Sequence, residues 1–188
     1  PGRGGDPTGF CIRADNHVEE LIEWYDADLM RVTGRVKERW DRTPDKERPE
    51  SIFVDSIGLG AGVVDRLIEL DLPCRGINVA ESSSMSDKYS RLRDELWFAA
   101  KEWLEDRDCS LPDDDELVSD LCKPRFKFTS NGKLKVESKD EMKRRGLNSP
   151  DVGDALCLTF GSRASLAKSG SRYRWNSTLD YDSSGWIV

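Results

Sequence analysis

The sequence predicts an α/β layer protein built on a mixed sheet flanked by helices. Three observations carry this. Ser51-Ile52-Phe53-Val54-Asp55 has a core that is apolar on both faces, as a central strand covered on two sides requires. Around it the patterns run strands, helix, strand, helix, strand, helices, hairpin, helix, helix. A glycine turn, Gly58-Leu59-Gly60-Ala61-Gly62, leads from that strand straight into a helical pattern.

The elements follow in order. Residues 1–7 are turn chemistry, glycines and prolines with an aspartate. Residues 8–14 read as a strand, Asp15-Asn16 as a turn, and 17–25 as the hairpin partner. Leu29, Val32, Val36 and Trp40 stand at helical spacing and predict a helix over 28–40, followed by a polar loop over 42–49. After the 51–55 strand a helix is expected over 63–70 and a short strand over 74–79. Tyr89, Leu92, Leu96, Ala99, Ala100 and Trp103 predict a long helix over 87–105. Asp113-Asp114-Asp115-Glu116 suits the positive end of a helix dipole, and Leu117, Leu121 and Cys122 continue that helix.

Residues 125–136 read as a hairpin: Arg125-Phe126-Lys127-Phe128 alternates basic and aromatic, Ser130-Asn131-Gly132 turns, and Lys133-Leu134-Lys135-Val136 alternates back. Ser138-Lys139-Asp140-Glu141 is a capping box for a short helix that Gly146 ends. Ser149 is expected to cap the last helix, 151–164, with Pro150 at its first position. Residues 165–188 are rich in Ser, Arg and Tyr with little periodicity, so they read as a tail or surface arm. There is no internal repeat.

The 188 residues suit one domain plus a tail. With 35% charged and 37% hydrophobic residues, the chain reads as a soluble globular protein. No apolar stretch approaches the ~20 residues of a membrane span, and no signal-peptide pattern opens the chain. It does not begin with Met, so it reads as a fragment or a processed chain. Five cysteines (11, 74, 109, 122, 157) are odd in number and show no CxxC spacing. That speaks against zinc and a disulfide framework and for reduced thiols in a cytosolic setting. His17 is the one histidine and stands in a turn-like stretch, so histidine-based catalysis is disfavoured. Net charge is −7, yet residues 123–145 hold nine basic residues against three acids, a basic segment on an acidic body.

Two acidic signatures carry the chemistry. Asp55 ends its strand, where an acid is either a helix cap or a ligand, and the next expected helix starts several residues later. Asp151 and Asp154 are three apart on a helix and share a face. Asp151 suits the helix dipole. Asp154, among Val152, Ala155, Leu156 and Leu158, needs a partner, and a metal ion is a good one. Mg²⁺ takes oxygen ligands and keeps waters, and two such ions about 4 Å apart serve phosphodiester hydrolysis. Lys133, Lys135, Lys139, Lys143, Arg144 and Arg145 could then grip phosphates without reading sequence. A dinucleotide site is disfavoured, because Val63 stands where GxGxxG needs its third glycine. There is no GxxxxGK[ST] either, so the glycines read as a sharp turn with close packing behind Asp55.

Residues 138–156, from Ser138-Lys139-Asp140-Glu141 through Ser149-Pro150-Asp151-Val152-Gly153-Asp154-Ala155-Leu156, resemble the C-terminal end of phage large terminase nuclease domains. So does Phe53-Val54-Asp55-Ser56-Ile57-Gly58-Leu59-Gly60, and Pro1-Gly2-Arg3-Gly4-Gly5-Asp6 resembles the turn after that family's first strand. The resemblance covers roughly residues 1–164, taken as the nuclease domain, with 165–188 as its tail.

It implies a ribonuclease H-like fold with an added β-hairpin before the last helices. It also implies a Mg²⁺- or Mn²⁺-dependent endonuclease, with two ions, that cuts concatemeric viral DNA for packaging in the host cytoplasm. Asp55 matches the second acidic ligand, Asp154 the ligand on the last helix, and Asp151 an accessory acid. The family's first ligand would precede Pro1. The partners implied are double-stranded DNA, an N-terminal ATPase motor, the small terminase subunit and the portal, with no membrane. The alternative is a non-enzymatic module of the same fold that docks DNA or a partner. It draws on the acidic body, the first acid falling outside the sequence, and Tyr173, Trp175, Tyr181 and Trp186 in the tail.

Overall fold

The computed structural model describes residues 7–25, 28–162 and 185–187. A five-stranded mixed sheet forms the middle layer, in the order β2-β1-β7-β3-β4. β1 (Thr8–Ala14) and β2 (His17–Trp24) form an antiparallel hairpin, with a bulge between Ile12 and Arg13. Asp15 turns that hairpin at φ 48°. β3 (Ser51–Asp55) runs parallel to β4 (Cys74–Ile77). β7 (Gly185–Ile187) lies between β1 and β3, antiparallel to the first and parallel to the second.

Alternation along the strands divides the core into two layers. On one face Phe10, Ile12, Ile52 and Val54 pack with Val32, Val36, Val63 and Leu67 from α1 (Leu29–Arg42) and α2 (Gly60–Glu69). On the other face Cys11 and Phe53 pack with residues of three further helices. These are Leu96, Trp97 and Trp103 of α3 (Leu92–Glu105), Leu117 of α4 (Asp115–Cys122), and Val152 and Leu156 of α6 (Asp151–Leu158). The mixed sheet flanked by helices that the sequence predicts is the arrangement the chain adopts. β5 (Phe126–Phe128) and β6 (Leu134–Val136) form a separate hairpin, turned at Gly132 with φ 76°. α5 (Lys139–Arg144) follows, with Ser138 and Glu141 in the expected capping box. No helix among the described residues is long and apolar enough to cross a membrane.

Four expectations change. α3 starts at Leu92, not at residue 87. Its first turn is polar and holds the incoming loop. Asp94 accepts from the Arg91 N–H at 2.8 Å, and buried Glu95 accepts from Ser83 Oγ at 2.7 Å and the Ser84 N–H at 2.9 Å. α2 starts at Gly60, three residues early, because the glycine turn itself winds into the helix. α6 stops at Leu158, and Ser149 does not cap it; the Ser149 hydroxyl is buried without a hydrogen bond. Asp120 of α4 does that work across the fold, accepting from the N–H groups of Val152 (3.2 Å) and Gly153 (3.4 Å). Finally, residues 185–187 of the expected tail are a sheet strand. The rest of that reading, with Tyr173, Trp175 and Tyr181, lies outside the described residues.

Candidate active site

Asp55 stands at the carboxyl end of β3, beside Ile77 of β4. Its Oδ1 accepts the Ile57 N–H at 3.1 Å, which closes a short turn, and Gly58 continues that turn at φ 63°. A Cβ on Gly60 would lie 1.7 Å from the Asp55 carbonyl oxygen, so the close packing expected behind Asp55 is present. α6 lies over β1 at a second glycine contact: a Cβ on Gly9 would sit 2.4 Å from the Asp151 carbonyl oxygen.

Asp154, one turn into α6, is divided between two environments. Its Oδ1 accepts from Trp97 Nε1 at 2.7 Å, Arg93 Nη2 at 3.0 Å and Arg93 Nε at 3.2 Å. Its Oδ2 lies 3.3 Å from Lys139 Nζ. The same ammonium donates to Asp151 Oδ1 at 2.7 Å. Arg93 also donates from Nη1 to the Glu137 carbonyl at 2.9 Å, which ties the end of the hairpin to the site.

Electrostatics joins Asp55 to this cluster. Burial raises the Asp55 carboxyl above its ordinary value. The Ile57 N–H, Lys139 and Arg93 oppose that rise, while the charge of Asp154 adds to it. For Lys139 burial disfavours the ammonium, but the charges of Asp154 and Asp151 outweigh it and hold the pKa above the usual lysine value. The site therefore contains carboxylates bridged by a permanent internal cation at neutral pH.

Of the residues expected to act here, Lys139 joins Asp151 to Asp154, and Asp55 feels the charges of Lys139 and Asp154. Arg145 turns inward, with Nε 2.8 Å from Glu137 Oε1 and Nη2 donating to the Lys123 carbonyl at 3.0 Å. Lys133 and Lys135 flank the hairpin turn on the β6 side, and Lys143 and Arg144 are exposed at the end of α5. Sequence reasoning missed Arg93, Trp97 and Asp120. Arg93 and Trp97 are four apart on α3, and a polar side chain at that spacing on a largely buried helix was the available signal.

Among the described residues no group of three or more His, Cys, Asp and Glu side chains is arranged to hold a metal ion. A hard cation needs only one or two carboxylates and completes its shell with water or phosphate oxygens, and that is the donor chemistry Asp55 and Asp154 offer. The Lys139 ammonium marks the place between Asp151 and Asp154 as one that stabilises positive charge.

No family model and no curated protein matches the chain. Solved structures do. The nuclease domain of the large terminase subunit gp2 of bacterial virus Sf6 is 22% identical, with a TM-score of 0.67 over 82% of this chain and 83% of that one. The large terminase nuclease from thermophilic phage G20c is 15% identical, with a TM-score of 0.64 over 85% of this chain and 77% of that one. A structure of the G20c protein with bound magnesium is similar at a TM-score of 0.59, at 16% identity over 84% of this chain and 77% of that one. The chain shares the fold of these phage large terminase nuclease domains.

Proposed function

We propose that the chain is a metal-dependent endonuclease domain that cuts double-stranded viral DNA during genome packaging. The observation that carries this is the Asp55, Lys139, Asp154 arrangement: two carboxylates from different elements and a lysine, gathered at the carboxyl end of a sheet strand. The likeness to terminase nucleases, one of them with bound magnesium, supports it.

In this reading Asp55 and Asp154 hold Mg²⁺ or Mn²⁺, with Asp151 as the accessory acid, and a second ion draws further oxygens from water and phosphate. The metal supplies Lewis-acid polarisation of a phosphodiester and a nucleophile at neutral pH. Lys139 balances the carboxylates and, in this reading, meets a phosphate oxygen of the bound DNA. Lys133, Lys135, Lys143 and Arg144 contact backbone phosphates, so binding falls with salt and hardly depends on sequence. The motor, small subunit and portal of a packaging machine are the partners this role requires.

The test is nicking of supercoiled plasmid in Mg²⁺ or Mn²⁺. Asp55→Ala and Asp154→Ala should each abolish nicking, the second with a lowered melting temperature because it strands the Trp97 and Arg93 donors; full activity in both folded variants sinks the reading. A docking module of the same fold is the second reading. It is favoured by Lys139, which already neutralises Asp151 and Asp154. DNA binding indifferent to Mg²⁺, with no cleavage, would select it.

A further inference from the structure

The two oxygens of Asp154 are unequal. Oδ1 accepts three N–H groups, from Trp97 Nε1 and from Arg93 Nε and Nη2. Oδ2 takes none of these three bonds and lies 3.3 Å from the Lys139 ammonium. Both donors are held in place by other contacts. The Arg93 guanidinium lies 5.4 Å from the centroid of the Trp97 ring, and its remaining arm is tied to the Glu137 carbonyl. Trp97 is buried in the core between α3 and α6, where a Cβ on Gly153 would meet its ring at 3.1 Å. The Asp154 carboxylate therefore cannot turn without breaking these bonds.

We propose that Arg93 and Trp97 are positioning residues that withhold Oδ1 of Asp154, so that this side chain binds a metal through Oδ2 alone and the site prefers small octahedral ions to Ca²⁺. The inference rests on Asp154 being a metal ligand, as proposed above. The physical reason is the difference between the cations. Mg²⁺ requires near-octahedral geometry, which a one-oxygen carboxylate suits, whereas Ca²⁺ takes more ligands and readily accepts a carboxylate through both oxygens. Hydrogen-bond partners that orient a ligand are worth about 10–100-fold in metal affinity.

Trp97→Phe removes one donor and keeps an aromatic ring. Arg93→Lys keeps the charge and loses the planar fork. Mn²⁺ and Ca²⁺ affinities are measured by calorimetry on the native chain and on each variant, with melting temperatures in parallel. We expect Mn²⁺ affinity to fall about tenfold in each variant. Ca²⁺ affinity should stay level or rise, so the preference for Mn²⁺ narrows by about the same factor. An equal loss for both ions, or no loss of Mn²⁺ affinity, overturns the proposal. If the native chain binds Mn²⁺, and Asp154→Ala removes that binding while Trp97→Phe changes nothing, the positioning role alone fails. If the native chain binds no Mn²⁺, the metal-site reading fails and takes this inference with it.

Discussion

Gly60 rests on Asp55: a Cβ at position 60 would fall 1.7 Å from the Asp55 carbonyl oxygen, closer than non-bonded atoms can stand. The first turn of α2 is thus laid against the backbone of a proposed ligand. The obstacle is main chain, so no side-chain rotation relieves it. Gly60→Ala should cost about 2–4 kcal/mol in urea unfolding and displace the β3–α2 turn. Gly34, inside α1, has nothing within 4 Å of its would-be Cβ. Gly34→Ala should therefore stabilise the chain by about 0.5–1 kcal/mol. The pair separates steric necessity from mere helix propensity.

Asp120 and α6 form a capping arrangement between helices. The buried Asp120 carboxylate accepts the first free N–H groups of α6 and is paired with Lys123 Nζ at 3.0 Å. Asp120→Ala leaves those donors buried and unmade, and should cost about 2–4 kcal/mol. Asp120→Asn keeps an acceptor and should cost less. Amide exchange at Val152 and Gly153 should speed up selectively in the alanine variant.

Lys139 competes for the acids it bridges. In Lys139→Ala the carboxylates of Asp151 and Asp154 lose their shared cation. The pair is partly exposed, so solvent screening limits the loss of stability without metal to about 1 kcal/mol. Added Mn²⁺ should then raise the melting temperature more in this variant than in the native chain, because the ion enters a site with no ammonium to displace. An equal rise in both would show that Lys139 and the metal do not share the carboxylates.

Legibility tracked the range of the signal. Strand β3, the β1–β2 and β5–β6 hairpins and the Ser138–Glu141 capping box were readable because each is written in a contiguous stretch. Asp55, Asp151, Asp154 and Lys139 were picked out singly by their local chemistry, and the fold brings them together. What failed was non-local. The start of α3 was misjudged because helical spacing continues through Tyr89, which instead bridges to Leu134. Ser149 had the right chemistry for a cap, but Asp120 reached the same N–H groups from another helix. Strand β7 is too short to show period-two alternation, and pairing with β1 and β3 defines it.

The acids titrate with opposite consequences for stability. Glu141 accepts Lys127 Nζ at 2.7 Å and the Ser138 N–H at 2.9 Å; these bonds and the Ser138 hydroxyl lower its pKa to about 2 from 4.5. A depressed folded pKa gives stability that is present above the ordinary value of 4.5 and lost as pH falls toward about 2. Glu141→Gln should therefore be less stable than the native chain at neutral pH, by about 1 kcal/mol given the exposure of the pair. The difference should close in acid. Asp55 behaves in the reverse sense, because burial raises its pKa above 3.8. Its protonated form suits the fold, so stability is greatest below that value and is lost as pH rises through the elevated folded pKa. Asp55→Asn should melt higher than the native metal-free chain at neutral pH, with the gain vanishing in acid. Melting curves of the three proteins across the acid range check both signs at once. A native chain that outlasts Asp55→Asn at neutral pH without metal would mean that Lys139 and Arg93 compensate Asp55 fully.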